Sequence, residues 1–371
     1  MSAQAQSLAQ AQGGPPRPQH GKELCLLSLD GGGVRGLSAL CILEELMRKV
    51  DAKNPPRPSE YFDLMGGTST GGLIAIMLGR LQMSIEECRQ AYRELSEEAF
   101  QQQNYTAAPA FKLPWNWDLK ARFDSAALER GMKRIIVAQL RQDPANEAKS
   151  DKELEDTLLK DPKSKCKVFV TATSASMPDR TSILTNYESD RWPPDFLDSV
   201  KIWEAARATS AASTFFEPIQ IGPDNETFLD GATGANNPIN VVWDEARDIW
   251  PSDKPLEDDV QCVISVGTGV ASVKAFGSSL KEVGETLKNM SVETEKTAEA
   301  FLRRYTRLHT EERYFRFNVL SGLGDIGLEE ASKRPEIVQA TRRYITSEEP
   351  KKHLENCAKN LRFRDCMMDL T

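Results

Sequence analysis

The chain is 371 residues long and 40% hydrophobic, which allows one large domain or two modest ones around a sizeable buried core. Its 55 acidic against 47 basic residues give a net charge of −8, which disfavours a general nucleic-acid binder while leaving local basic patches open. The longest strongly apolar stretch runs only from Gly71 to Gly79, short of the roughly 20 residues that span a bilayer, so no transmembrane helix is expected.

The start of the chain is rich in Ala and Gln, then in Gly and Pro. It lacks the basic start and apolar core of a signal peptide and the Arg-rich amphipathic pattern of a transit peptide. Residues 1–21 read as a disordered tail. Leu24 to Leu29 is a short apolar run ending on Asp30 and a glycine cluster, the pattern of a buried strand and a turn. Leu40, Leu43, Met47 and Val50 recur at helical spacing, and the prolines of Asn54–Pro58 stop the helix. Tyr61 to Gly67 reads as a second strand approach and Gly71 to Leu78 as a buried helix, so strand, glycine turn and helix occur twice. Ser84-Ile-Glu-Glu87 is a capping box that opens a polar-faced helix to Phe100.

The stretch from Phe100 to Phe123 is aromatic and irregular. Its Trp115 and Trp117 fit either a satellite core under a long loop or a surface that touches a bilayer interface. Helical periodicity returns from Asp124 to Leu140, and residues 141–165 are charged enough for a solvated surface insert. Cys166–Thr173 and Val260–Val266 read as further strands, and Tyr314–Val319 as an edge strand within a charged, mainly helical C-terminal region. Strands alternating with helices imply a largely parallel sheet covered on both faces. Seven dispersed cysteines without CxxC spacing, four of them in apolar runs (Cys25, Cys41, Cys166 and Cys262), read as reduced structural thiols of a cytoplasmic protein.

Three segments carry chemistry. Gly67-Thr-Ser69-Thr-Gly71 is a G-x-S-x-G pentapeptide, whose glycines let a strand turn sharply into a helix and lift the serine hydroxyl clear of the backbone. The same five residues also suit a glycine turn whose serine caps a helix. Asp30-Gly-Gly-Gly-Val-Arg-Gly36 places bare backbone amides at a strand end and helix start, where they can converge on an anion. Alone, this loop serves acyl transfer, nucleotide binding or a structural turn equally well. Gly31, Gly33 and Gly36 fit G-x-G-x-x-G, and Asp51 lies 51 − 31 = 20 residues beyond the first glycine. Against a dinucleotide site, Asp51 closes a helix and enters a proline-rich loop instead of ending a second strand. Phe228-Leu-Asp230-Gly-Ala232 delivers a carboxylate onto a glycine turn, where partial desolvation makes it a base. Histidine is scarce: His20 lies in the tail, and His309 and His353 lie in charged segments. The order Ser69, Asp230, His309 matches a hydrolase triad, but the residues around His309 read as a solvated helix face.

Together the glycine loop, the serine pentapeptide and the Asp-Gly-Ala block, in this order and separation, resemble the patatin-like phospholipase family, in a fungal-like, patatin-type serine acyl hydrolase form. Ala205–Pro218 and Asn236-Asn-Pro238 resemble supporting blocks of that family. The resemblance covers roughly residues 22–275. It implies Ser69 as nucleophile, Asp230 as base, and the amides of Gly31, Gly32 and Gly33 as oxyanion donors. Asp30, Arg35, Gly36, Gly67, Gly71 and Gly231 support the motifs. The implied fold is a three-layer α/β/α sandwich with a largely parallel central sheet, followed over residues 276–371 by a mainly helical C-terminal extension. The implied reaction is hydrolysis of ester bonds in phospholipids or related acyl lipids through an acyl-enzyme, without metal or cofactor. Implied partners are the acyl lipid, a transient membrane surface, and a homo-oligomer or larger signalling assembly, with no nucleic acid. The implied location is cytoplasmic or peripheral at membranes. Two departures, Ser213 where members often have proline and Ala232 where many have a second glycine, remove no chemical group. Two other function classes stay open: an effector or signalling module whose hydrolysis is latent until oligomerisation or partner binding, and a dinucleotide-binding oxidoreductase.

Overall fold

The computed structural model of the chain describes residues 24–100, 111–112, 118–119, 123–212, 215–269 and 281–368. The N-terminal tail, Trp115, Trp117 and Ser213 lie outside the described residues. Strands are β1 (Leu24–Leu29), β2 (Leu64–Thr68), β3 (Phe111–Lys112), β4 (Asp118–Leu119), β5 (Lys167–Ser174), β6 (Thr181–Thr185), β7 (Ile219–Ile221), β8 (Glu226–Asp230), β9 (Val260–Val266) and β10 (Tyr314–Phe317). The main helices are α1 (Gly36–Val50), α2 (Thr70–Ala75), α3 (Ile85–Ala99), α4 (Ser125–Leu140), α5 (Ile202–Thr209), α6 (Ile239–Ile249), α7 (Lys281–Arg304), α8 (Arg334–Thr346) and α9 (Glu348–Met368).

Local chemistry sets the boundaries. Helix α1 buries Leu40, Leu43, Leu46, Met47 and Val50 on one face and stops at Asp51, which turns extended and accepts the Lys53 and Asn54 amides on its carboxylate. Before α3 both bonds of the capping box form: Ser84 Oγ accepts from the Glu87 amide, and the Glu87 carboxylate accepts from the Ser84 amide. Helix α2 runs on into a single π turn, Ile76–Arg80.

The central sheet has the order β10-β9-β1-β2-β5-β8-β7, with β6 on the other edge of β5. Strands β10, β9, β1, β2 and β5 are parallel, whereas β6 and β8 run antiparallel to β5. Alternate side chains face opposite ways, as a pleated strand dictates. Cys25, Leu27 and Leu29 of β1, with Met65, Val170 and Ile264, enter one core under α1 to α5, α8 and α9. Leu24, Leu26, Leu64, Phe169 and Val263 enter a second core, under α6 and the end of α7. This is the expected three-layer α/β/α arrangement.

The region after residue 275 belongs to the same body. Strand β10 extends the sheet at its edge, as its sequence suggests, and Phe315, Phe317, Leu323, Ile337, Leu354 and Leu361 share a core with β1. The charged insert of residues 141–165 is mostly exposed, as its composition suggests, and is anchored at a few points. Leu154 and Leu159 are buried, and Arg80 donates to the carbonyls of Leu158 and Leu159. Among the described residues, no helix is long and apolar enough to cross a membrane.

Candidate active site

Ser69 stands between β2 and α2 with φ 53° and ψ −123°, a backbone conformation that an L-residue adopts only under constraint. The constraint is packing. A Cβ on Gly71 would lie 2.2 Å from the Leu29 carbonyl oxygen, and one on Gly67 would lie 2.2 Å from the Gly71 carbonyl oxygen. Only glycines let the strand and helix come this close, so the elbow folds sharply and leaves Ser69 partly exposed above buried neighbours. The Ser69 amide donates to Thr209 Oγ1 (2.9 Å), which pins the elbow to the end of α5.

Strand register brings Asp230 to this serine. Strands β2 and β8 share one edge of β5 and meet end to end, with Thr68 opposite Thr171 and Asp230 opposite the next residue, Ala172. Adjacent rungs are separated by about 3.3 Å. The last residue before the nucleophile and the candidate base are therefore neighbours, although they are far apart in sequence. The Thr68 and Thr171 hydroxyls hydrogen-bond across the junction at 2.7 Å. Asp230 is 4% exposed, its carboxylate lies close enough to the Ser69 hydroxyl to feel it and accepts from the Ala232 amide (2.7 Å), and its own amide donates to the Ala211 carbonyl. Burial pushes its pKa up to about 7 against the pull of the nearby Ser69 hydroxyl and the Ala232 amide. Gly231 sits over Thr171, where a Cβ would meet the Thr171 hydroxyl at 2.2 Å. Ala232 donates its amide from the first turn of a short helix and is accommodated there.

The glycine loop arches over the elbow: a Cβ on Gly31 would lie 3.3 Å from Ser69 Cβ. The three glycines are not equivalent. The Gly31 amide donates to the Asn236 carbonyl (3.0 Å), and its carbonyl accepts from Thr268 Oγ1 (2.7 Å). Its donor is thus occupied in this structure. The amides of Gly32 and Gly33 meet no acceptor among the described residues. Gly33 has φ +53° with the Leu328 carbonyl 2.3 Å from where its Cβ would be, so no other residue fits there. The Thr70 and Tyr92 hydroxyls donate to the Gly33 carbonyl, which holds the peptide in place. Arg35 ends the one-turn helix before Gly36, where α1 begins; its guanidinium is buried, and burial lowers its pKa to about 10. Asp30 is buried and accepts from Arg316 (2.7 Å).

Two alternative readings fail on geometry. Asp51 caps α1 and binds its own turn, so no carboxylate ends β2 to hold a ribose. His309 lies exposed on the short helix Thr306–Thr310, which leads into the start of β10. Because β10 is parallel to β1, that is the opposite end of the sheet from Ser69, roughly one strand length or 17–20 Å away. Missed by the sequence reading were Thr209, Thr268, Thr294, Glu295 and Arg316 as supports. The lone Arg316 in the aromatic run Tyr314–Phe317 was the one signal available.

A family model, Patatin-like phospholipase, matches residues 27–243. The chain is 28% identical to phospholipase A I of Arabidopsis thaliana across 80% of its own length and 24% of that protein. It is 30% identical to calcium-independent phospholipase A2-gamma of Homo sapiens across 81% of its length and 35% of that protein. It therefore spans about a quarter to a third of these two relatives. It is also 28% identical to the cGAMP-activated phospholipase of Vibrio cholerae across 68% of its length and 67% of that protein. Among solved structures, VipD from Legionella pneumophila aligns at 14% identity and a TM-score of 0.39, covering 93% of this chain and 67% of that one. With the match spanning the glycine loop, the serine elbow and Asp230, the chain belongs to the patatin-like phospholipase family.

Proposed function

We propose that the protein hydrolyses carboxylic ester bonds of phospholipids or related acyl lipids with a Ser69–Asp230 dyad. The observation that carries this reading is the placement of the constrained, partly exposed Ser69 beside a buried carboxylate whose pKa is raised to about 7. Such a carboxylate is a far better base at neutral pH than an ordinary aspartate, so a serine can be activated without histidine.

In the first step Ser69 Oγ attacks the ester carbonyl carbon while Asp230 takes the hydroxyl proton. The tetrahedral oxyanion is received by the amides of Gly32 and Gly33. Each such donor contributes on the order of 3 kcal/mol to the transition state. Collapse expels the alcohol, which leaves with the proton from Asp230, and the acyl group stays on Ser69. Water then gives its proton to Asp230 and attacks the acyl-enzyme; collapse releases the fatty acid as Asp230 returns that proton to the leaving Ser69 Oγ. The substrate lies in a lipid surface, so the protein works at a membrane it visits from the cytoplasm.

A latent form of the same activity is the second reading. It is favoured by the similarity to a relative named for its activation by cGAMP. The test is hydrolysis of a panel of phospholipid vesicles by wild type and Ser69→Ala at several protein concentrations. Fatty acid release that depends on Ser69 supports the reading, and release that rises faster than linearly with concentration selects the latent form. Release that survives in folded Ser69→Ala overturns it.

A further inference from the structure

The residues that hold the glycine loop form a closed circuit, and most of it comes from beyond residue 243, where the family match ends. Arg316 Nη2 donates both to Asp30 Oδ2 and to Glu295 Oε1, each at 2.7 Å. Glu295 Oε1 also accepts from Asn318 Nδ2 (2.7 Å). Asn318 Oδ1 in turn accepts from the Gly269 amide (2.7 Å), and the preceding Thr268 donates its hydroxyl to the Gly31 carbonyl. Because Asp30 and Gly31 are consecutive, the ring closes on the root of the loop. A side branch reaches the remaining anchor: Thr294, next to Glu295 on α7, accepts from Asn236 Nδ2, and the Asn236 carbonyl holds the Gly31 amide.

The ring reaches the loop at Asp30 and Gly31, and none of its contacts touches the Gly32 and Gly33 amides. The ring sets where those two amides point. Arg316 is its junction: its guanidinium joins β10, the carboxylate on α7 and the strand end that carries the loop, with Nη1 on Ser265 Oγ of β9 (2.8 Å). Its side chain is 13% exposed and Asp30 is 1% exposed, so water offers little substitute for these bonds.

We propose that Arg316 is a positioning residue for the oxyanion site, acting through Asp30 and coupled through Glu295 to α7. The C-terminal region then helps to aim the catalytic amides in addition to completing the fold. This inference rests on the hydrolase reading above for its catalytic consequence, but not for its structural one. A loop misplaced by about 1 Å is enough to cost about a hundredfold in rate.

The test uses the full chain as wild type, Arg316→Lys, and the double variant Asp30→Asn with Arg316→Met. The double variant removes both charges together, so that no unpaired buried charge unfolds the protein. Two quantities are read: kcat and KM on a short soluble p-nitrophenyl ester, with Ser69→Ala as the control, and amide hydrogen exchange across residues 30–36. The expected result is a double variant with a near-wild-type melting temperature and kcat lowered by about tenfold to a hundredfold. Its KM changes by less than about threefold, exchange accelerates in residues 30–36, and Arg316→Lys restores part of both losses. A folded double variant with kcat within about twofold of wild type and unchanged exchange in that segment overturns the inference. Should wild type show no Ser69-dependent hydrolysis, the hydrolase reading fails, and faster or unchanged exchange in residues 30–36 still decides whether Arg316 positions the loop.

Discussion

The serine elbow and the glycine loop share one grammar, a parallel strand running through glycines into a helix, yet they are held in opposite ways. The elbow is constrained by close backbone packing: Gly67 lies against Gly71, Gly71 lies against the end of β1, and the strained torsions at Ser69 accompany that contact. The glycine loop is held from a distance, by Asn236, Thr268 and, through Asp30, Arg316. In the proposed reaction a nucleophile needs one fixed direction, which close backbone packing supplies. Oxyanion donors must be aimed at another segment's serine, and only tertiary contacts can do that.

Breaking the dyad at the elbow has the largest expected effect. Ser69→Ala and Asp230→Asn should each fold and each lose at least about 10⁴-fold in kcat, and the double variant should be little worse than either, because the two residues act as one unit. Initial-rate assays beside melting curves check this; additive losses would mean the residues act separately.

The next effect is with pH. The folded-state pKa of Asp230, about 7, lies above its ordinary 3.8, so the folded protein holds this proton more tightly than the unfolded chain. Its contribution to stability is therefore full below about pH 4 and is lost as pH rises through 7. Activity needs the opposite form: kcat/KM should fall about tenfold per unit as pH drops below about 6. Asp230→Asn should gain stability on wild type from pH 4 to 8, by on the order of 4 kcal/mol at most. Denaturant melts of the two proteins across this range measure it, and a constant difference contradicts the raised value.

Two threonines sharpen the comparison. Thr268→Val removes the bond to the Gly31 carbonyl and should lower kcat about tenfold. Thr209→Val leaves the Ser69 amide without its acceptor, which should cost about 1–3 kcal/mol of stability while kcat falls only a few-fold, because packing still fixes the elbow. Equal kinetic losses would remove the distinction between the two regions. The smallest effect concerns strain: Ser69→Gly should melt above Ser69→Ala, since glycine relieves a backbone cost of about 1–3 kcal/mol. Identical melting temperatures would mean that the elbow stores no strain.

Much of the fold was legible because its signals are local. The apolar run Leu24–Leu29, the capping box at Ser84 and the helical spacing from Leu40 to Val50 each declare an element within a few residues, and Tyr314–Phe317 declared an edge strand. Ser69 and Asp230 were legible for the same reason, each closing an apolar run on glycine. The supports were not, because they meet only in three dimensions: Thr268 lies 237 positions from Gly31, and Arg316 lies 286 from Asp30. Sequence also treats Gly31, Gly32 and Gly33 alike, whereas the fold commits the first amide to Asn236. Charge marked residues 141–165 as a surface segment, which most of them are, but gave no sign of the two leucines that anchor it.

The central claim, an acyl-accepting serine activated by a buried aspartate, is tested most directly by covalent capture. The protein is treated with a fluorophosphonate, and the modified peptide is mapped by mass spectrometry in wild type and in Asp230→Asn. The account predicts one adduct, on Ser69, formed at least about a hundredfold more slowly in the Asp230→Asn protein. An adduct on any other residue, or equal rates in the two proteins, would contradict it.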